Sequence, residues 1–204
     1  MAVNLIPPSE TVMKILEKTG AYRRGHFVYP NGKHASHYFQ MPLAFRFYDN
    51  ARVLAVGLSR KFRLEKTISS RLPKVAIISP SPGGIPVAFG VREALTAEQI
   101  YWTEIEDRKR RFRQYIKESD IHPCIVVDDI IRTGRALEET IGLVKDLGVE
   151  IVGIGAIVRF EDSPKELDGI PVQSLVEFDV NFYDTLAEWE SGEGNDAEEE
   201  AVRY

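Results

Sequence analysis

Two adjacent carboxylates at the end of an apolar run carry the most specific chemical signal in this chain, in the order Ile125-Val126-Val127-Asp128-Asp129-Ile130-Ile131-Arg132-Thr133-Gly134-Arg135-Ala136-Leu137. The run predicts a buried strand that delivers Asp128 and Asp129 to its carboxyl end, followed by a tight turn through Thr133-Gly134 into the first turn of a helix. The unpaired N–H groups of such a turn, the helix dipole and the Thr133 hydroxyl together make a cradle for a phosphate. Carboxylates suit the opposite task. They accept hydrogen bonds from sugar hydroxyls or approach a Mg2+ ion that a ligand carries. An anion cradle a few residues from two acids points to a phosphorylated sugar. A lone Asp capping a turn and a lone Gly relaxing it would be the simpler account of either residue; the whole ordered series is far more specific.

Two further segments could serve a polyanion. Ser79-Pro80-Ser81-Pro82-Gly83-Gly84 follows the apolar run Val75-Ala76-Ile77-Ile78 and precedes a helical pattern from Ile85 to Leu95. Two glycines at a strand-to-helix junction let the backbone come close to an anion, although a Gly-Gly pair by itself is usually only a turn. Arg108-Lys109-Arg110-Arg111-Phe112-Arg113 places five positive charges in six residues. On composition alone, such a run is often a solvated face or a nucleic-acid patch.

The elements that must hold these groups are legible as alternating strands and helices. Strands are expected at Val75–Ile78, Gln99–Glu104, Cys124–Val127, Ile151–Val158 and Val172–Val176, with helices at Ile85–Leu95 and Arg135–Leu147 between them. That alternation implies a parallel α/β sheet flanked by helices, whose ligands sit at the carboxyl ends of the strands. Upstream, Ser9 to Gly20 reads as a capped helix with Val12, Ile15 and Leu16 on one face. An irregular segment with Gly25, Pro30 and Gly32 follows, then a strand-like Tyr38–Leu43. Asp49 or Asn50 is expected to cap a helix carrying Val53, Leu54, Leu58 and Phe62.

Composition sets the outer bounds. The 204 residues, 44% hydrophobic and 28% charged, suit one globular domain with a sizeable core. The formal charge of −5 hides a division: residues 188–204 sum to −6, so 1–187 sum to +1. That acidic tail is expected to be disordered. A single cysteine, Cys124, excludes an internal disulfide and a cysteine-rich zinc site and favours a reducing compartment. Neither a signal peptide nor a bilayer-spanning run is evident, so the expectation is a cytoplasmic protein without a membrane partner.

The Asp128–Leu137 series resembles the phosphoribosyl-diphosphate motif of type I phosphoribosyltransferases, and within that family the orotate branch. Three further segments carry the likeness. Gly25-His26-Phe27-Val28 through Asn31-Gly32-Lys33-His34-Ala35-Ser36-His37-Tyr38-Phe39-Gln40 resembles the base-binding hood. Ser81-Pro82-Gly83-Gly84-Ile85 resembles the pyrophosphate loop. Arg159 stands where the family has an arginine that meets the orotate carboxylate.

The resemblance implies a parallel central sheet with a small hood built from about residues 20–47 and 170–180. It implies transfer of phosphoribosyl from phosphoribosyl diphosphate to a pyrimidine base, by a Mg-dependent pentosyltransferase that is commonly a homodimer. Asp128 and Asp129 would hold the ribose; Arg132, Thr133, Gly134, Arg135 and Ala136 the 5-phosphate; Ser81, Gly83 and Gly84 the pyrophosphate. Phe39 would flank the base and Arg159 read its carboxylate, the plainer alternatives being that Phe39 is core and that Arg159 pairs with Glu161 or Asp162. Lys109, Arg110 and Arg111 would belong to a mobile basic lid that closes on pyrophosphate, which makes nucleic acid an unlikely partner. Arg135 departs from the family's small residue and either adds a charge to the phosphate site or fills it; Ile105 stands where a basic residue is usual. The alternative class is a relative acting on another base, or a non-catalytic regulator that binds nucleotide or RNA.

Overall fold

The computed structural model describes residues 6–116, 121–194 and 199–201. The chain opens with helix α1 (Ser9–Thr19), which ends at Gly20 with φ of 74°, where the glycine N–H donates to the Glu17 carbonyl. Ser9 is the first helical residue, with Pro8 in the cap position. Strands β1 (Tyr22–Val28) and β2 (His34–Phe39) form an antiparallel pair. The expected strand at Tyr38–Leu43 is therefore shifted: pairing ends at Phe39, and Pro42, suited to a first helical turn, opens the short helix α2 (Pro42–Phe45).

Helix α3 (Tyr48–Leu64) starts ahead of Asp49 and buries Leu54, Leu58 and Phe62, while Val53 faces solvent. A short α4 (Lys66–Ser69) leads to β3 (Ala76–Ser79), α5 (Ile85–Leu95) and β4 (Gln99–Glu106). The basic run is a strand, β5 (Lys109–Phe112), folded back on β4 as a hairpin. Its turn residues Asp107 and Arg108 have φ of 50° and 61°, the left-handed pair that a two-residue hairpin requires. The remaining elements are β6 (Cys124–Ile131), α6 (Arg135–Asp146), β7 (Ile151–Phe160), β8 (Glu166–Leu167), β9 (Ile170–Phe178), α7 (Leu186–Gly192) and β10 (Glu199–Ala201).

The main sheet has the order β5-β4-β3-β6-β7-β9-β8. Its five inner strands run parallel, and the edge strands β5 and β8 are antiparallel. Strand β6 is buried on both faces. Ile125 and Val127 join the core beneath α3 and α5, whereas Cys124 and Val126 join the core beneath Leu137, Ile141 and Val144 of α6. From β3 the chain steps outward to β4, then returns to the other side of β3 as β6. The direction of winding thus reverses between β3 and β6, and the crevice outside the carboxyl ends of those two strands is where such sheets bind ligands.

A second, three-stranded sheet has the order β10-β1-β2, with β10 parallel to β1. The hood expectation differs here, because Ile170–Phe178 belongs to the main sheet as β9. The tail expectation is corrected as well. Thr185 accepts from the Glu188 N–H while Glu188 accepts from the Thr185 N–H, a capping box that starts α7 within the acidic stretch, and Trp189 is buried. Residues 195–198 and 202–204 of that stretch lie outside the described residues.

Candidate active site

Both anion loops meet at the reversal point. Asp128 and Asp129, at the end of β6, are 4% and 7% exposed. Ser81 donates through Oγ to Asp128 Oδ1 at 2.6 Å, and the Asp129 N–H donates to the same oxygen at 3.0 Å. Asp129 Oδ1 accepts from the Ile130 N–H at 2.9 Å. The two glycines lie directly against these acids: a Cβ on Gly83 would stand 2.6 Å from Asp129 Oδ2, and one on Gly84 2.5 Å from Asp128 Oδ1 and 2.7 Å from Ser79 Oγ. A side chain at either position would have to displace these carboxylates.

Burial is the main force raising the proton affinity of both acids. For Asp128 the neighbouring charge of Asp129 adds to it, and the Ser81 hydroxyl pulls the other way. Carboxylates held so far from water are stabilised as anions by whatever cationic or hydroxyl-bearing group fills the crevice.

Beyond β6, Thr133 and Gly134 turn into α6, with Gly134 at φ of 78° as the residue before the helix. Residues Ile130–Leu137, with Asp128, line a cavity of about 140 Å3. Arg135 does not fill it. Its side chain is 83% exposed and pairs with Glu139 one turn along α6, Nε to Oε1 at 2.7 Å. That pairing, the strongest influence on the Glu139 carboxyl, holds its pKa below the usual glutamate value.

Of the three lid residues, Arg110 departs most from expectation. Its side chain is 8% exposed and turned under the hairpin, where Nε meets Glu139 Oε2 at 3.0 Å and Nη1 donates to the Pro80 carbonyl and, at 3.2 Å, to Thr103 Oγ1. Register explains this. On β5 exposure alternates, so Lys109 and Arg111 face out while Arg110 and Phe112 face the sheet. Arg111 lies 3.6 Å from Glu106, and Arg113 3.7 Å from Glu104, so β4 largely neutralises the basic run that sequence composition made conspicuous. Ile105, opposite Arg110, is exposed.

A larger cavity, about 430 Å3, opens between the turn after β1, the loop after β6 and the segments after β7 and β9, and is lined by Asn31, Lys33, Arg132, Thr133, Phe160, Glu161, Asp162, Val180 and Phe182. Neither Phe39 nor Arg159 borders it. Phe39 packs with Tyr22, Phe160 and Phe178 at ring separations of 4.9 to 5.8 Å. Arg159 is 1% exposed and bonds to the Phe160 and Ser163 carbonyls and, at 2.8 Å, to Glu177. Its carboxylate partner is thus on the adjacent strand β9, not at Glu161 or Asp162. Strand alternation accounts for the difference of one residue, since Phe160 faces the cavity and Arg159 faces away. Lys33 falls within the hood segment, whereas Glu139, Phe160 and Phe182 are neighbours of the site that no motif contains. Only Glu139 carried a readable signal, its spacing of four residues from Arg135.

Among the described residues no helix is long and apolar enough to cross a membrane, and no group of three or more His, Cys, Asp or Glu side chains is placed to hold a metal by itself. Burial pushes the Cys124 thiol up, away from reactivity.

Known proteins bear on this architecture. A profile of the phosphoribosyl transferase domain matches residues 53–185. Orotate phosphoribosyltransferase from Caldanaerobacter subterraneus subsp. tengcongensis is 30% identical over 175 residues, covering 86% of this chain and 87% of its own. The enzyme of the same name from Desulforamulus reducens is 31% identical over 175 residues with the same coverage. In three dimensions, the crystal structure of orotate phosphoribosyltransferase from Aeropyrum pernix superposes with a TM-score of 0.62 at 22% identity, over 81% of this chain and 93% of that one, a likeness of fold. With the sheet order, the reversal point and the paired acids in place, this chain belongs to the phosphoribosyltransferase family.

Proposed function

We propose that the protein transfers the 5-phosphoribosyl group from phosphoribosyl diphosphate to orotate, giving orotidine 5'-monophosphate and pyrophosphate in pyrimidine nucleotide synthesis. The observation that carries this reading is the wedge of two buried carboxylates, Asp128 and Asp129, against Gly83-Gly84 at the reversal point, with an anion cradle on either side. The bond from ribose C1 to pyrophosphate oxygen breaks with its electron pair leaving on pyrophosphate, and a bond from orotate N1 to C1 forms as that nitrogen loses its proton, which passes to solvent or to the departing pyrophosphate.

Asp128 and Asp129 orient the ribose through its hydroxyls and favour positive charge developing at C1 in the transition state. Thr133, Gly134, Ala136 and the backbone of the turn hold the 5-phosphate; Ser81, Gly83 and Gly84 hold the pyrophosphate; Lys109 and Arg111, outward on the hairpin, meet the departing charge. Mg2+ brought by phosphoribosyl diphosphate fits this donor set, since the buried carboxylates are hard oxygen ligands whose surroundings otherwise favour protonation. When bound it supplies neutralisation of the diphosphate. The small sheet acts as the hood, and a cytoplasmic homodimer is part of the same reading.

Purified protein incubated with orotate, phosphoribosyl diphosphate and Mg2+ should consume orotate and release pyrophosphate. Release with uracil or another base but not orotate would replace the substrate, and no release with any common base would leave the second reading, a regulatory relative that binds nucleotide. The neutralised hairpin and exposed Ile105 are what favour that second reading.

A further inference from the structure

We infer that Glu139, on the helix that follows the phosphate turn, is a positioning residue for the pyrophosphate loop: through Arg110 it fixes the Pro80–Ser81 peptide so that the Ser81 N–H is left for the diphosphate, and it holds the Arg135 guanidinium along α6, where it does not fill the 5-phosphate cavity. This rests on the proposed phosphoribosyl transfer, in which Ser81 to Gly84 receive pyrophosphate, and it names a side chain that belongs to neither anion loop.

The carboxylate is shared between two guanidiniums. Oε2 accepts from Arg110 Nε at 3.0 Å and Oε1 from Arg135 Nε at 2.7 Å. Arg110 is the buried partner, 8% exposed. Two donors converge on the Pro80 carbonyl, Arg110 Nη1 and, at 3.0 Å, Thr103 Oγ1. The Pro80–Ser81 peptide is trans, and a trans peptide sets its N–H opposite its C=O. Holding the carbonyl against the hairpin therefore turns the Ser81 N–H away from it. The rest of Ser81 is engaged: its carbonyl accepts from Ser79 Oγ at 2.7 Å and from the Gly84 N–H at 3.2 Å, and its hydroxyl donates to Asp128 at 2.6 Å. Among the described residues no acceptor meets the Ser81 N–H. A backbone donor in a loop that already carries Gly83-Gly84, with no protein acceptor, suits an anion.

Removing the carboxylate acts on its two arms in opposite directions. Arg110 would keep a buried charge without its counter-ion and would give up its place. The Pro80 carbonyl then keeps Thr103 alone, and the peptide is free to rotate. Arg135, which borders the 5-phosphate cavity, loses its tie along the helix and becomes an added cation for a phosphate there. Pyrophosphate affinity should fall while ribose 5-phosphate affinity holds or rises. A general loosening of the site would weaken both.

Titration calorimetry of the full chain with magnesium pyrophosphate and with ribose 5-phosphate reads the two arms without turnover. Glu139→Ala should weaken pyrophosphate at least about fivefold, the loss of one charge-assisted contact, with ribose 5-phosphate affinity no lower than in the wild type. Glu139→Gln, which keeps one acceptor and the side-chain volume, should fall between the two and carries the test should the alanine variant melt early. Arg110→Met should match Glu139→Ala for pyrophosphate, and combining them should add less than about twofold, because both break one chain of contacts. Unchanged pyrophosphate affinity in the Glu139 variants, equal weakening of both ligands, or additive losses in the double variant overturns the positioning role. A wild type that binds neither ligand overturns it together with the reading of the site. Binding as expected without turnover of orotate defeats the proposed reaction alone.

Discussion

The pair of acids at the end of β6 and the run of bases on β5 are the two densest charge features in the molecule, and they are built in opposite ways. Asp128 and Asp129 are buried, press on glycine and have raised proton affinity. Of the bases, Arg111 and Arg113 are exposed and offset by glutamates on β4, and Arg110 is consumed in holding the hairpin to Pro80, Thr103 and Glu139. Charge that costs folding energy is the better pointer to chemistry. Charge cancelled by its neighbours serves shape.

The sharpest way to break that contrast is Asp128→Asn with Asp129→Asn, which should lower kcat for phosphoribosyl transfer by 10²-fold or more, on the order of the loss when an electrostatic stabiliser is removed. Asp128→Asn alone should also raise the Tm. Because the folded protein holds the Asp128 proton more tightly than the unfolded chain does, this acid favours folding fully only below the ordinary carboxylate range, and that advantage is lost as pH rises through the raised folded value. Wild-type Tm should therefore fall with rising pH where Asp128→Asn is flatter, by about 2–4 °C for each kcal/mol relieved in a chain of this size. A lower Tm for the variant would mean that the buried acid is structural.

Next in size is Arg110→Met. It strips the Pro80 carbonyl and Glu139 of a shared donor and should cost about 1–3 kcal/mol of stability, with a higher KM for phosphoribosyl diphosphate because the pyrophosphate loop loses its clamp. Unchanged urea midpoint and KM together would remove the clamp from the account. The smallest effect separates the two outward bases. Lys109→Ala should reduce kcat about tenfold with stability unchanged to within about 0.5 kcal/mol, and Arg111→Ala, which loses an exposed pair with Glu106, should change stability by no more than about 1 kcal/mol. Equal kcat in wild type and Lys109→Ala would place the hairpin outside the chemistry.

This contrast also explains how far the sequence could be read. Strands β3, β6 and β7 and helices α5 and α6 announce themselves because a strand buried on both faces must be a short apolar run and a helix over a sheet must repeat its apolar residues near 3.6. Asp128-Asp129 stands out against that background for the same reason. The hairpin was opaque, since its turn is Asp107-Arg108 with left-handed φ and no glycine, and since charge pairing across strands leaves no mark along one strand. Arg159 lies buried against Glu177 while the next residue, Phe160, lines the cavity; that one step of strand parity decides core against cavity, and a single sequence does not reveal it. Helix α7 was legible in principle. Thr185-x-x-Glu188 is a capping-box pattern, overlooked because acidic composition outweighed it.

The docking of α7 gives the protein a built-in optical readout. The chain has two tryptophans. Trp189 is buried, stacked on His26 at 3.8 Å between ring centroids and donating through Nε1 to Ser36 of β2 at 2.9 Å. Trp102 lies on β4 beside Phe89, on the hairpin side of the molecule. Replacing one or the other with phenylalanine leaves a single tryptophan, on the small sheet or on β4, so that tryptophan fluorescence excited above the tyrosine band can follow the hood and the hairpin separately, in real time and without a label.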